Sequence, residues 1–82
     1  MPISRDSYSP EEIQFIRGVG FKIQYYRKKA GISQADLAEH VDMSLTTIAR
    51  LESSCLSAPS MVGLYRIAKT LGITPDKLVQ LD

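Results

Sequence analysis

Repeated helix-start signals are the feature that most constrains what this chain can fold into. At five positions a serine or threonine precedes a helix-forming segment, as expected of an N-cap whose side-chain oxygen accepts a hydrogen bond from the first turn. Four of these caps are flanked by apolar residues at hydrophobic-staple spacing. The caps are Ser9, Ser33, Ser44, Ser60 and Thr74, and the staples are Tyr8–Ile13, Ile32–Leu37, Met43–Ile48 and Ile73–Leu78. This repetition predicts an all-α chain of five helices.

Apolar residues recur every three or four positions within the predicted helices, which places them on one face of each helix. Gly31 and Gly72 follow the first and fourth helices, where they suit left-handed C-cap positions. The clearest stripes are Ile16, Val19, Ile23, Tyr26 and Ala30 in the first helix, Met61, Leu64, Ile67, Ala68 and Leu71 in the fourth, and Leu78 with Leu81 in the fifth. We therefore predict a helical bundle whose core is built from these faces.

Two glycines interrupt the first predicted helix. Gly18 and Gly20 each destabilise a helix interior by about 1 kcal/mol relative to alanine. The first helix is therefore expected to be long or kinked, and a break at these glycines would leave residues 10–17 as a separate arm.

Length and composition limit what the chain can do. Its 82 residues form one domain with little room for a catalytic cleft, so we expect no enzyme activity and no cofactor. One cysteine and no long apolar run predict a cytoplasmic protein without a disulfide or a membrane partner. His40 and Cys55 alone cannot form a metal site, and a redox role for Cys55 is disfavoured. We divide the chain into an N-terminal extension, 1–8, and one domain, 9–82.

Charge is distributed unevenly although the net charge is only +1. Five basic residues and no acidic ones lie between Ile13 and Ala35, with three of them consecutive at Arg27, Lys28 and Lys29. Such a cluster is either an electrostatic footprint for nucleic acid or a solvated helix face, and charge alone does not decide between them.

Residues 33–54 contain two short predicted helices joined by a tight turn, the pattern of a helix-turn-helix. Ala38 is small enough for the point where the two helices cross. Asp42 lies at the sharpest point of the turn, and aspartate tolerates left-handed backbone better than most residues.

The outward face of the second of these helices carries small, apolar and hydroxyl groups at its start and one arginine a turn later. With Ile48 and Leu51 turned inward, the outward residues are Leu45, Thr46, Ala49 and Arg50. Arginine can bind guanine through two hydrogen bonds, threonine can bind several bases, and an apolar group can contact the thymine methyl. The face suits a DNA major groove, although an ordinary solvated helix is the simpler alternative.

An ordered set of short motifs extends this pattern across about three-quarters of the chain. The set is Arg27, Gly31-Ile32-Ser33-Gln34, Leu37-Ala38, Ser44, Thr47-Ile48, Arg50-Leu51-Glu52, Pro59-Ser60, Leu64, Ile67-Ala68, Leu71-Gly72-Ile73 and Leu78. In its order and spacing it resembles the phage-repressor and Cro type of helix-turn-helix transcriptional regulator, also called the xenobiotic-response-element type. The resemblance implies a five-helix, lambda-repressor-like DNA-binding bundle.

The resemblance also implies roles for individual residues. Arg27 and Glu52 match a partly buried structural ion pair. The positions that match base-contacting residues are Leu45, Thr46, Thr47 and Arg50, and those expected at the DNA backbone are Gln34, Ser44, Lys28, Lys29, Ser53 and Ser54.

Two departures from the family pattern stand out. Asp42 replaces a usual glycine, a harmless change. The loop after the second helix, residues 53–59, lacks both the usual glycine and any basic residue, so we expect weaker non-specific DNA binding. Binding should then depend more on Gln34, Arg50 and the 27–29 cluster.

These features lead us to expect a small dimeric bacterial or phage regulator, a repressor or controller protein, which binds an inverted-repeat operator in double-stranded DNA. The dimer interface could come from the C-terminal helix or from the N-terminal arm, where Ile13, Phe15 and Ile16 are more apolar than the bundle needs. Two alternatives involve a protein partner: a DNA-binding antitoxin that also binds a toxin, and a protein-interaction module that keeps the fold without reading DNA.

Overall fold

The computed structural model describes residues 7–53 and 56–81, and all of the regular secondary structure there is helical. Most of the predicted extension, residues 1–8, lies outside the described residues. The helices are α1 (Pro10–Ala30), α2 (Gln34–His40), α3 (Leu45–Glu52), α4 (Met61–Leu71) and α5 (Asp76–Val79). The all-α, five-helix prediction is therefore confirmed.

Four of the five predicted N-caps are confirmed. Ser9 and Ser33 form complete capping boxes, in which the cap side chain and the side chain three residues later each accept a backbone N–H. Ser44 and Ser60 accept hydrogen bonds from the amides of Thr47 and Gly63. The chain thus defines where α1 to α4 begin through local side-chain bonds.

The predicted cap at Thr74 is wrong. Helix α5 begins one residue after Pro75 and has no side-chain cap. Instead, the backbone carbonyls of Thr74 and Pro75 accept hydrogen bonds from the amides of Lys77 and Leu78, which closes a short turn. The helix ends at Val79, so Leu81 is outside it and is 80% exposed, contrary to the predicted stripe.

Both predicted C-cap glycines are confirmed. Gly31 has φ 77° and Gly72 has φ 73°, and the amide of each donates to carbonyls of the preceding turn. Left-handed backbone at these positions suits glycine because a side chain there would be strained.

Helix α1 runs unbroken over 21 residues, so the long first helix is confirmed, whereas the predicted break at its glycines and the separate arm 10–17 are wrong. At Gly20 a Cβ atom would overlap the carbonyl oxygen of Leu51, at the end of α3. The missing side chain therefore lets α1 and α3 approach each other, and the adjacent core residues Val19 and Ile23 hold the helix together through burial.

The core lies where α1 packs against α3, α4 and α5, and where α2 packs against α3 and α4. Tyr26 packs against the core while Tyr25 is exposed. Besides Leu81, two members of the predicted stripes, Ala30 and Met61, are exposed, and Met61 is 86% exposed. The buried apolar residues are Val19, Ile23, Leu37, Ala38, Val41, Ile48, Leu51, Ile67, Ala68, Leu71 and Leu78.

The length and apolar character of the helices determine whether any of them can span a membrane. Within residues 7–53 and 56–81, none combines the length and the apolar character that crossing a bilayer requires.

Candidate nucleic-acid interface

The turn between α2 and α3 fixes how the two helices cross. Asp42 has φ 57°, the left-handed conformation predicted for it. The amide of Met43 donates to the carbonyl of Ala38 at 3.0 Å, which closes the turn. Because Ala38 is buried and small, α2 and α3 can approach closely there.

Helix α3 has one buried face and one open face. Ile48 and Leu51 are buried in the core. On the other side Leu45, Thr46 and Arg50 are exposed, and Ala49 is half-buried between the two faces. Within residues 7–53 and 56–81 the Arg50 guanidinium has no ion pair or hydrogen bond, so its donors are available to a ligand.

The start of α3 is held by two hydroxyl groups. Ser44 Oγ accepts from the Thr47 amide at 3.0 Å and lies 2.8 Å from Thr47 Oγ1. Both side chains remain exposed, but they are bonded to each other. Thr47 is therefore fixed at the edge of the face, whereas Thr46 is free to turn toward a ligand.

A buried polar network holds the end of α3. Arg27 of α1 donates from Nε to Glu52 Oε2 at 2.6 Å and from Nη2 to Glu52 Oε1 at 2.9 Å. The third contact, from Nη1 to the carbonyl of Ile32 at 2.8 Å, extends the network to the turn before α2. The side chains of Arg27 and Glu52 are only 9% and 2% exposed, so the pair is a structural link between α1 and α3.

Gln34 joins the same network at the start of α2. Its Nε2 donates to Glu52 Oε1 at 3.1 Å, so the Glu52 carboxylate accepts from both Arg27 and Gln34. The Gln34 amide has two N–H groups, and a second donor is left for another acceptor. The side chain is half-buried, which restricts its orientation.

The charge on Arg27 is permanent in this setting. Its hydrogen bonds with Glu52 raise the pKa of the guanidinium above its usual value, against the opposing effect of burial. Because Arg27 is buried and paired, it is not available to DNA. Of the basic cluster 27–29, only the exposed Lys28 and Lys29 can contribute to a footprint.

Lys28 and Lys29 lie in the last turn of α1, where positive charge also favours the helix dipole. Lys29 Nζ lies 5.8 Å from the centre of the Tyr25 ring, a cation–π arrangement. Lys28 is exposed and has no such contact in the part of the chain that the structure describes.

The loop after α3 is only partly described. Ser53 forms the C-cap, and its hydroxyl donates to the Arg50 carbonyl at 3.0 Å. Ser54, a predicted backbone contact, and Cys55 lie outside the described residues. Leu56 resumes the chain with φ 50°, a left-handed turn at a residue that has no glycine-like freedom.

No metal centre is formed by the residues of 7–53 and 56–81, where no group of three His, Cys, Asp or Glu side chains converges. The His40 ring instead bonds to the carbonyl of Asp36 at 2.8 Å, within its own helix.

The resemblance implies that Gln34 touches a phosphate and braces the recognition helix, but it does not name Glu52 as the partner of Gln34, and the role of the Ile32 carbonyl was not predicted. Each of these two contacts joins residues whose sequence spacing carries no helical or strand signal. The clue available in the sequence was the implied bracing role of Gln34, together with the implied pair of Arg27 and Glu52.

These elements define a helix-turn-helix protein, in which an open helix face is held on a packed helical bundle. The sequence model of the helix-turn-helix family matches residues 23–78. The chain therefore belongs to this family of DNA-binding transcriptional regulators, of the Cro type.

Two individual proteins are similar to this chain. An uncharacterised HTH-type transcriptional regulator of Methanothermobacter thermautotrophicus is 42% identical over 50 residues, which is 61% of this chain and 71% of the relative. The crystal structure of the hypothetical transcription factor NHTF from Neisseria superposes with a TM-score of 0.76 at 19% identity, covering 98% of this chain and 86% of that one. At this identity the second likeness shows the fold alone.

Proposed function

We propose that the chain is a sequence-specific DNA-binding regulator that acts as a homodimer on an inverted-repeat operator. The observation that carries the proposal is the open face of α3, whose start is capped by Ser44 and whose end is fixed by Glu52. A helix held at both ends can present side chains to base edges in a reproducible orientation, which direct readout of the major groove requires.

Base contacts would come from the open face. The Arg50 guanidinium is free to bind the O6 and N7 atoms of guanine, and exposed Leu45 can rest on a thymine methyl. Thr46 can bind a base with its hydroxyl. We place Thr47 at the edge of the contact, because its hydroxyl is bonded to Ser44.

Backbone contacts would come from the surrounding side chains. Gln34 keeps one amide donor for a phosphate. Ser44, the exposed N-cap of α3, offers a hydroxyl group at the start of that helix. Lys28 and Lys29 supply charge, while Ser53 and Ser54 belong to a stretch of sequence, 53–59, without basic residues. We therefore expect few strong phosphate contacts and a shallow dependence of affinity on salt.

Two-fold symmetry in the protein calls for two-fold symmetry in the operator, which is why we propose an inverted repeat. To read half-sites one turn of DNA apart, the dimer would have to hold its two copies of α3 roughly 34 Å from each other. Repression follows if the operator overlaps a promoter, because the bound dimer then competes with polymerase for the same DNA. We further propose that the protein acts in the cytoplasm as a binding protein without catalytic activity. A bacterial or phage source stays a prediction.

Selection from a library of random duplexes tests the proposal. We expect wild-type protein to enrich an inverted repeat whose half-sites contain a guanine contacted by Arg50. A protein-interaction module with the same fold would enrich no motif, and that result would exclude DNA reading. An antitoxin would enrich a motif and also bind a second protein.

A further inference from the structure

One side of α1 faces away from the core and carries exposed aromatic residues. We call it the outer stripe, and it consists of Glu11, Gln14, Phe15, Gly18, Phe21, Lys22 and Tyr25. Its members follow one another at steps of about three or four residues, so they form one continuous helix face. All three aromatic rings are exposed, and Phe21 is 68% exposed. Exposed apolar groups that cluster on one face of a soluble protein mark an interaction surface.

Gly18 lies at the centre of the outer stripe, and the fold of the single chain does not require a glycine there. A Cβ atom at Gly18 would meet only Lys22 Nζ, at 4.0 Å, whereas one at Gly20 would overlap the Leu51 carbonyl oxygen. Glycine in a helix interior is less stable than alanine. Gly20 is therefore explained by packing within the chain, and Gly18 is explained if another backbone approaches it from outside.

The outer stripe is self-complementary about Gly18. Three residues away on either side are Phe15 and Phe21, and four residues away are Gln14 and Lys22. Two antiparallel copies of α1 that cross at Gly18 would place each member of a pair against the other, aromatic against aromatic and amide against ammonium. A two-fold interface between identical subunits has this property, because a residue pair that forms across it in one direction also forms in the other.

Charge along α1 favours the same antiparallel arrangement. The helix begins with Glu11 and Glu12 and ends with Lys28 and Lys29. In an antiparallel pair the acidic start of one copy lies against the basic end of the other. Seven residues from Gly18, Glu11 would meet Tyr25 of the second copy, whose ring already has the Lys29 ammonium 5.8 Å from its centre.

The C-terminal segment extends the apolar surface. Lys22 Nζ donates to the carbonyl of Gln80 at 2.5 Å, which holds the end of the described chain beside α1. Leu81 and Phe15 line the same open groove along the outer stripe, and Leu81 is 80% exposed.

From these observations we infer that the outer stripe, extended by Leu81, is the surface on which two copies of this chain pair, antiparallel and crossing at Gly18. The inference rests on the proposed homodimer and specifies its interface.

Sedimentation equilibrium of matched charge variants tests the location of the interface. Phe21→Glu should weaken dimerisation by roughly tenfold or more, because a carboxylate would be buried against Phe15 of the other copy. Val62→Glu is the control: Val62 is 58% exposed on α4 and does not line the groove along the outer stripe. It should leave the dimerisation constant unchanged.

Two changes at Gly18 test the crossing point. Gly18→Ala should raise the melting temperature of the monomer yet weaken the dimer, since the added methyl separates the helices. Gly18→Cys in a Cys55→Ser background should give a disulfide-linked dimer on oxidation, because a disulfide requires Cα atoms within about 7 Å. Exposed Glu39 provides the control, and Glu39→Cys should remain uncrosslinked.

The outcomes separate this inference from the proposed function. A wild-type monomer at about 100 μM, above the Kd of a stable dimer, would overturn both the homodimer and its interface. A dimer that survives Phe21→Glu and Gly18→Ala, or that dissociates on Val62→Glu, would overturn the interface alone. Titration of a single half-site reports DNA reading independently of either result.

Discussion

The open face of α3 and the outer stripe of α1 are both exposed, but the molecule supports them in different ways. Behind α3, the Glu52 carboxylate accepts hydrogen bonds from Arg27 and Gln34, and Ser44 caps the helix start. Behind the outer stripe, α1 rests on the core through Val19 and Ile23. The polar network fixes the angle at which α3 presents its hydrogen-bond donors. The outer stripe presents mainly apolar surface, for which the core contacts of α1 are sufficient support.

The two glycines of α1 sharpen the same contrast. They are two residues apart, yet Gly20 lies against the Leu51 carbonyl and Gly18 has open space around it. One glycine positions α3 for its role, and the other leaves room on the outer stripe. Residues of one type in one helix can therefore serve different surfaces.

The largest predicted effect comes from removing the network behind α3. Glu52→Ala leaves the Arg27 guanidinium buried without its partner, which should lower the free energy of unfolding by about 3–5 kcal/mol. Urea denaturation measures this loss. The control is Glu39→Ala on the exposed face of α2, which should change stability by about 0.5 kcal/mol or less. Equal losses in the two variants would show that the network is not what holds α3.

An intermediate effect distinguishes the two glycines. Gly20→Ala should destabilise the fold by about 1–3 kcal/mol, because its methyl group pushes against the backbone of α3. Gly18→Ala should stabilise the monomer by about 0.4–1 kcal/mol. Thermal unfolding at a concentration below the dimer Kd compares them, and the same sign for both variants would contradict the different environments described above.

The smallest effect among the destabilising changes concerns helix caps. Ser44→Ala removes the hydrogen bond to the Thr47 amide and should cost about 1 kcal/mol of stability. Thr74→Ala should cost less, since Thr74 takes part through its backbone carbonyl. If the two losses, measured by urea denaturation, were similar, Ser44 would have no special part in fixing α3.

Local signals in the sequence predicted most of the fold. Serine caps and C-cap glycines act over a few residues, so Ser9, Ser33, Ser44 and Ser60 defined four helix starts correctly. The prediction of an N-cap at Thr74 was wrong because α5 is short and its first turn is closed by backbone hydrogen bonds. The predicted break at Gly20 failed because a contact distant in sequence, with Leu51, outweighs the intrinsic cost of glycine.

The candidate site was predictable where a side chain simply faces outward. Exposure of Leu45, Thr46 and Arg50 follows from the period of α3. The engagement of Gln34 with Glu52, and the burial that removes Arg27 from the basic cluster, depend on how α1, α2 and α3 meet in space. Base contacts stay predictions, as do the contacts of Ser53 and Ser54 with the DNA backbone.

The central claim is that the open face of α3 reads base sequence, and one comparison of binding constants tests it most directly. Titrations of the selected operator and of a duplex with the contacted guanine replaced give a specificity ratio for each variant. Arg50→Ala should lower the free energy of discrimination between the two duplexes by about 1–3 kcal/mol. Lys28→Ala should weaken binding to both duplexes equally and should lower the slope of log affinity against log salt concentration by about one. An unchanged specificity ratio in Arg50→Ala would contradict the claim.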